Sequence, residues 1–379
     1  MFFWLVNIFI FALYSFVLCR NSKKSNAFLF VAILHLGMIM ILRSTRVGTD
    51  TGHYSQAFWR IIQTGSAGRH VMTTAPVFYE YMKFVAHIFP YRNGYIVFTA
   101  LPTMLCLYYF VEKQSSNYFE TLFLYCAFYF YFYSMNVARQ FLATGLIMVC
   151  YCLMQDGQKK GGWALWVIAC IIHSSAVFFG IYIIADFVQW NRRKVKVALI
   201  GIVIGLFLIL NIMQIFVKIY PQYEYITVNL QANNLTSQGR SSMVYAAYSL
   251  LAIVIEWLGM LYDEGRVTIK MKGRCLIGKT IGWGNEKLSC QKSFELIILA
   301  FTSGCIFLIY PTFIVFWRMA YTGFLFIILL LPHALGRIQY ARNVFKLVIY
   351  IPILIMMLMM IEGNYSAVRD YSFFGCNLK

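Results

Sequence analysis

Apolar residues fall along this chain in long blocks separated by short polar connections. Met1–Cys19, Ala27–Leu42, Gly94–Val111, Tyr118–Tyr133, Val137–Met154, Lys196–Val217, Met243–Tyr262, Phe294–Val315, Met319–Leu335 and Leu347–Ile361 are such blocks. A helix needs roughly 20 apolar residues to cross a bilayer. The pattern therefore predicts an all-α polytopic integral membrane protein of about ten transmembrane helices. Residues 1–379 form a single transmembrane domain in this reading, with three long loops at 43–93, 218–242 and 263–293.

Trp163–Val188 is apolar too, and it conflicts with the charges. Counted as one more full crossing, it would put Arg192, Arg193, Lys194 and Lys196 outside and invert every later loop, including the most basic, Asp263–Ser293. Basic residues collect in cytoplasmic loops. The segment is therefore expected to be a re-entrant hairpin of two half-depth helices, Trp163–Ile172 and Ser175–Val188, turning at His173-Ser174. Loops 20–26, 112–117, 155–162, 189–195, 263–293 and 336–346 then face the cytoplasm and, with Lys196, hold 20 of the 32 Lys and Arg. The N-terminus and loops 43–93 and 218–242 face outside. Broken helices at membrane depth are tolerated only against protein or a watery cavity, which makes His173 a candidate site residue. Met1–Cys19 has its positive flank (Arg20, Lys23, Lys24) behind it, the reverse of a secretory signal, and reads as an uncleaved span.

Charged residues are 12% of the chain and hydrophobic ones 61%, with a mean hydropathy of +0.68. An average globular chain carries about 25% charged residues, so soluble, disordered and disulfide-scaffold classes are excluded. The net charge of +18 follows the inter-span loops and is no nucleic-acid footprint. The ten cysteines lie mostly inside apolar blocks, with no C-x-x-C and no zinc spacing, and read as buried apolar residues. No metal and no cofactor is expected. Residues 273–280, GRCLIGKT, match a phosphate-loop spacing. A loop of roughly 30 residues between two membrane helices cannot hold the α/β domain that motif requires, so the match reads as chance.

The outside loop 43–93 opens RSTRVGTDTGHYSQAFW. Asp50 is placed to cap a helix from Thr51, and Tyr54, Ala57, Phe58, Ile61 and Ile62 give that helix an apolar stripe, as in an amphipathic helix at a membrane surface. Gly48 in the preceding turn allows close backbone approach to a ligand. Arg46 and the helix N-terminus favour phosphate; alternatively Arg43 and Arg46 snorkel to headgroups while Asp50 only caps. A second surface helix starts at Pro76, with Glu80, Lys83 and His87 on one face: a carboxylate for a site above the membrane, or a solvated stripe. The run Phe128–Tyr133, FYFYFY, suits an outer interfacial belt. Arg139-Gln140 sits just inside the outer end of a span, where arginine is costly. Arg240 ends a loop rich in amides and tyrosines (Tyr220, Gln222, Tyr223, Tyr225, Gln231, Asn233, Asn234, Gln238), a composition that suits sugar recognition and equally any polar loop. Arg318 lies at the outer end of its block, and Glu256 is a buried acid with no assigned role. Arg46, Arg139, Arg240 and Arg318 all map outside, against the charge trend. Only Asp50, Glu80, Glu224, Glu362 and Asp370 are there to neutralise them, so the four arginines call for an anionic ligand.

RVGTDTGHY (46–54), the Glu80 helix, NVARQFLATG (136–145), IIHSSAV (171–177) and WRMAY around Arg318 resemble, in order, the EpsG branch of the Wzy-type polysaccharide polymerases. Family elements are matched at Arg46, Gly48, Asp50 and Tyr54, at Arg139 and Gln140, and at His173, Ser175 and Ala176. The basic loop Asp263–Ser293 matches nothing in that pattern. The resemblance implies a metal-independent glycosyltransferase at the outer leaflet of a bacterial cytoplasmic membrane, acting in capsule, exopolysaccharide or O-antigen synthesis. It would join undecaprenyl-diphosphate-linked oligosaccharide repeat units. Partners would be that lipid, the membrane, a chain-length regulator and a flippase. Arg46, Arg139, Arg240 and Arg318 would hold the diphosphate; Asp50, Glu80 or His173 would be the base; Gly48, Tyr54, Gln140 and Ser175 would support them. A flippase or exporter of the same lipid, or a membrane O-acetyltransferase with His173 as base, are the alternatives.

Overall fold

The computed structural model describes residues 1–20, 22–68, 75–219, 237–263, 266–271, 274–277, 286–309 and 314–374, and they are almost entirely helical. Contacts divide the chain into two compact units, Met1–Val177 with Ile353–Lys379, and Phe178–Pro352.

The first unit begins with α1 (Phe2–Leu18) and α2 (Asn26–Leu42). Ser25 starts α2 by accepting the Phe28 amide at 3.2 Å, satisfying one of the donors a helix start leaves open. Phe2, Phe9 and Phe16 form an exposed stripe along α1, at home only against hydrocarbon. Two short helices follow, α3 (Thr51–Thr64) and α4 (Pro76–Ile88), then α5 (Gly94–Gln114). The expected stripe of α3 is correct. Ala57, Phe58 and Ile61 are buried against Phe78, Met82 and Val85 of α4 and against Tyr95 and Ile96 of α5, with Tyr54 and Ile62 partly covered. This face is spent on protein packing.

The expected single span Tyr118–Tyr133 is two helices, α6 (Tyr118–Ala127) and α7 (Phe130–Asn136). Between them Tyr129 adopts a left-handed φ of 71°, a conformation costing a non-glycine residue about 1–3 kcal/mol. The FYFYFY run is no interfacial belt: all six rings are buried, at 0–5% exposure. Their hydroxyls find partners inside, Tyr131 on the Leu36 carbonyl at 2.8 Å and Tyr129 on the Tyr365 carbonyl at 2.7 Å.

Next come α8 (Ala138–Gln155) and α9 (Lys159–Ile172), packed along one another, with Gly162 leaving room for Met154. The break expected at His173-Ser174 is present. The helix α9 stops at Ile172, His173 is extended, and a 3₁₀ turn runs from Ser174 to Phe179.

The second unit contains α10 (Gly180–Asp186), α11 (Arg192–Ile219), α12 (Ser237–Asp263), α13 (Glu286–Ile309), α14 (Ile314–Phe324), α15 (Ile327–Gly336) and the first half of α16 (Arg342–Glu362). The expected span Met319–Leu335 is broken: α14 and α15 meet at 43°. A two-residue hairpin, β1 (Lys270–Met271) with β2 (Arg274–Cys275), lies between α12 and α13. It puts strand where a phosphate loop would begin; Gly273 and Gly278–Thr280 lie outside the described residues. Glu256 is fully buried in this unit. It accepts from Ser293, from His333 and, through both carboxylate oxygens, from Arg337, whose third nitrogen bonds Asp263 at 2.7 Å.

Among the described residues four helices are long and apolar enough to cross a membrane: Gly94–Gln114, Ser241–Asp263, Gln291–Ile309 and Arg342–Glu362. The bent pair α14–α15 makes a fifth, and α1, α2 and Ser174–Asp186 are apolar but shorter. This is the architecture of a membrane-embedded, all-α protein. The expected number near ten leans on those shorter and broken helices as well.

Candidate functional site

The sequence RVGTD folds into a turn at the end of α2 held by hydrogen bonds to Ser44 behind it, to the end of α7 and to the C-terminal segment. Gly48 has φ 97°, and a Cβ there would stand 2.5 Å from Thr51 Oγ1 and 2.7 Å from the Met135 carbonyl oxygen. Only glycine permits that approach. The Gly48 amide donates to the Ala367 carbonyl at 3.2 Å. Asn136, the last residue of α7, anchors the other side. Its Oδ1 accepts the Thr49 hydroxyl at 2.7 Å and the Asp50 amide at 2.9 Å. Two residues on, α8 begins with Ala138-Arg139-Gln140. The turn bearing Arg46, Gly48 and Asp50 is thus bonded to the segment that delivers Arg139 and Gln140.

Two expectations are corrected. Asp50 occupies the N-cap position of α3, yet its side chain makes no cap hydrogen bond. Its backbone sits in the helical region, and Asn136 holds the amide instead. Among the described residues the half-buried Asp50 carboxylate has no hydrogen bond or ion pair. Arg43 does not snorkel. It is wholly buried and donates to the carbonyls of Met40 and, at 3.1 Å, Met135, so a guanidinium braces the same peptide that seats Gly48.

Arg139 is half-buried. Its Nε is buried with no hydrogen-bond partner, and the residue forms no ion pair among the described residues. The fully buried Tyr95 phenol, likewise without a hydrogen-bond partner, lies within electrostatic reach of Asp50, Arg43 and Arg139 together. Tyr54 stacks on the Tyr95 ring at 5.5 Å. Arg46 is exposed on the turn, and Gln140 is buried.

His173 is 8% exposed. Its Nδ1 accepts the Ser175 amide at 3.2 Å, and Ser175 Oγ lies 2.8 Å away. An acceptor Nδ1 places the proton of the neutral ring on Nε2, leaving a donor rather than a base facing outward from that pair. Trp166 Nε1 bonds the Ala176 carbonyl at 3.0 Å and pins the turn to α9. Glu80 is the solvated alternative: its side chain is 63% exposed and paired with Lys83 at 2.8 Å, with His87 also exposed. Arg318 is exposed on α14 in the second unit. The backbones of Gln238 and Arg240 belong to α12, but their side chains and the loop residues Tyr220–Asn234 lie outside the described residues.

The sequence reading missed Asn136, Tyr95 and the buried role of Arg43. Asn136 stands three residues before Arg139 in the quoted NVARQ stretch, but an amide has no charge to draw attention. Among the described residues no group of three His, Cys, Asp or Glu is placed to hold a metal ion.

Apolar helices around an unpaired carboxylate and an arginine without a partner define a membrane-embedded protein with a polar, charge-bearing site in its first unit. The chain belongs to the EpsG family, whose model matches residues 26–374, an exopolysaccharide-related family. No curated protein and no solved structure gives a match.

Proposed function

We propose that this chain is a polysaccharide polymerase, joining undecaprenyl-diphosphate-linked oligosaccharide repeat units at the outer leaflet of a bacterial cytoplasmic membrane. The observation that carries the reading is that the Asp50 carboxylate and the Arg139 guanidinium, neither with a hydrogen bond or ion pair among the described residues, both lie within electrostatic reach of the buried Tyr95. Leaving two half-buried charges without partners costs stability, which a ligand bearing phosphate and hydroxyl groups would restore.

The reaction breaks the bond between the anomeric carbon of the growing glycan and its diphosphate, and forms one to a hydroxyl of the incoming repeat. The hydroxyl proton passes to a carboxylate. The bonding pair leaves on the diphosphate, where guanidinium groups stabilise the developing charge. Asp50 is the best-placed base of the three candidates. Glu80 is occupied by Lys83 in solvent, and His173 uses Nδ1 as an acceptor for Ser175. Arg46 and Arg139 bind the diphosphate. Gly48, Tyr54, Gln140 and Ser175 position these groups.

The test is purified protein in nanodiscs with one synthetic lipid-linked repeat unit. A ladder of oligomers is expected from the wild type, and none from Asp50→Asn or Arg139→Ala despite normal membrane insertion. Wild-type ladders from both variants would refute the assignment. Transfer of intact single units across the bilayer without a ladder would favour the flippase, and acetyl transfer at unchanged length the O-acetyltransferase.

A further inference from the structure

The segment after α16 returns to the start of the chain. Trp4 Nε1 donates to the Val368 carbonyl at 2.7 Å, and the Tyr371 hydroxyl to the Ile39 carbonyl at 2.7 Å. Through Ala367 the same segment holds the Gly48 amide. Against it lies a partly open apolar cavity among α1, α2, α6, α7 and the second half of α16.

Trp4 and Ile39, which are bonded to this segment, line the cavity together with Phe11, His35, Phe123 and Phe132. From Trp4 to Phe11 is seven residues of α1, about 10 Å at 1.5 Å per residue. The walls present apolar surface only. The cavity's polar side chains are committed to the protein: His35 Nε2 and Asn7 Oδ1 lie 2.8 Å apart, His35 Nδ1 meets Tyr14 at 3.2 Å, and the Tyr131 hydroxyl donates to the Leu36 carbonyl at 2.8 Å. Nothing in the cavity calls for a polar guest.

We propose that this cavity binds the isoprenoid chain of the carrier lipid, its first units next to the diphosphate. The inference rests on the polymerase reading for the position of the head. Its own support is continuity. The segment 367–371 is bonded on one side to the turn carrying Arg46 and Asp50 and on the other to residues that line the cavity. A chain leaving a phosphate at that turn meets an aromatic-lined, apolar shaft first. Trp4, Phe11, Phe123 and Phe132 give that shaft rigid walls suited to a branched, methyl-bearing chain.

Two measurements test this. The first compares lipid-linked repeats carried on undecaprenyl diphosphate and on a short methyl diphosphate with no isoprene unit, in wild type and in the cavity-filling variants Ile8→Trp and Leu354→Trp, whose half-buried parents line the shaft away from the charged site. The wild type is expected to prefer the long carrier in kcat/KM by at least about tenfold, given the free energy of burying each methylene. The variants are expected to lose that preference and keep wild-type rates on the short carrier, which also shows that they fold. The second is photolabelling of the wild type with a diazirine-bearing polyprenyl phosphate that carries no sugar. Label is expected in α1 and α2, displaced by polyprenyl phosphate and not by phosphatidylglycerol. Unchanged preference in both variants, or displacement by phosphatidylglycerol as effective as by polyprenyl phosphate, would overturn the proposal while leaving the polymerase reading intact. Specific labelling of a wild type that polymerises neither carrier would sink the polymerase reading and keep the lipid site.

Discussion

Gly48 and Asn136 set the position of every charged group in the turn, though neither is charged. A methyl at Gly48 would strike Thr51 Oγ1 and the Met135 carbonyl and would require φ 97° of an alanine. Gly48→Ala is therefore expected to cost about 1–3 kcal/mol and to eliminate polymer, measured as detergent melting and oligomer ladders on the same preparation. Asn136→Ala leaves the Thr49 hydroxyl and the Asp50 amide without their acceptor, a loss of about 1–3 kcal/mol. It should lower turnover because Asp50 is no longer held, whereas Asn136→Asp keeps an acceptor and should retain more of it. Glu80→Gln is the contrast. An exposed ion pair contributes little to stability, so stability and polymer length should both stay at wild type; loss of polymer in that variant would move the base from Asp50 to Glu80. The sequence pointed to Arg46, Asp50 and Arg139 because charge is conspicuous in an apolar chain. It was silent on Tyr95 and Asn136, whose importance comes only from what they touch.

At the level of elements, the C-terminal segment is the part that sequence pattern could least reveal. Residues 365–374 have no helical stripe and lie over 300 residues from the Arg43–Gly48 stretch they clasp. The clasp is nevertheless dense: Ser44 is bonded to Ser372 by amide and hydroxyl, Phe374 donates to the Leu42 carbonyl, and Phe3 stacks on Tyr371 at 4.1 Å. Ser366 and Ala367 adopt φ values of 64° and 52° to make it. Glycine tolerates that region without a Cβ penalty, at the cost of a more flexible unfolded chain. Ala367→Gly is therefore expected to preserve both melting temperature and activity, while Ala367→Val, β-branched at a left-handed position, should lower both. Equal behaviour of the two variants would mean that this geometry does not matter to the site. The helix break at Tyr129 was equally hidden, since six consecutive aromatic residues fit a continuous span as well as an interrupted one. The break at His173 was legible, because the charges of the flanking loops demanded it and a His-Ser-Ser sequence supplied side chains able to satisfy the freed backbone. The apolar stripe of α3 was read correctly from its spacing, but spacing cannot say whether lipid or protein covers it.

At the scale of the molecule, the strongest charge cluster among the described residues lies in the second unit and serves no part of the proposed chemistry. Glu256, Gly259 and Asp263 follow one another at three and four residues on a single face of α12, and His333 and Arg337 stand four apart on α15 and its end. Arg337 lies across Gly259 to reach Glu256 on one side and Asp263 on the other. A Cβ at Gly259 would collide with Arg337 Cδ and stand 2.5 Å from its Nε. Being held by carboxylates at both ends, the guanidinium cannot step aside without giving one up. Gly259→Ala should therefore behave as a broken buried ion pair, a loss of about 3–5 kcal/mol, far above the fraction of a kcal/mol that glycine to alanine usually gains in a helix interior. Replacing the charges together, Glu256→Leu with Arg337→Met, removes the burden of desolvating them, and such exchanges are often near neutral. In that background Gly259→Ala should cost almost nothing, giving a coupling of several kcal/mol in a double-mutant cycle read from melting in detergent. Independent, additive effects would show that the glycine is there for helix packing alone. The expected coupling would show instead that a glycine in an apolar span is placed to let an arginine bridge two acids one helical turn apart on either side of it.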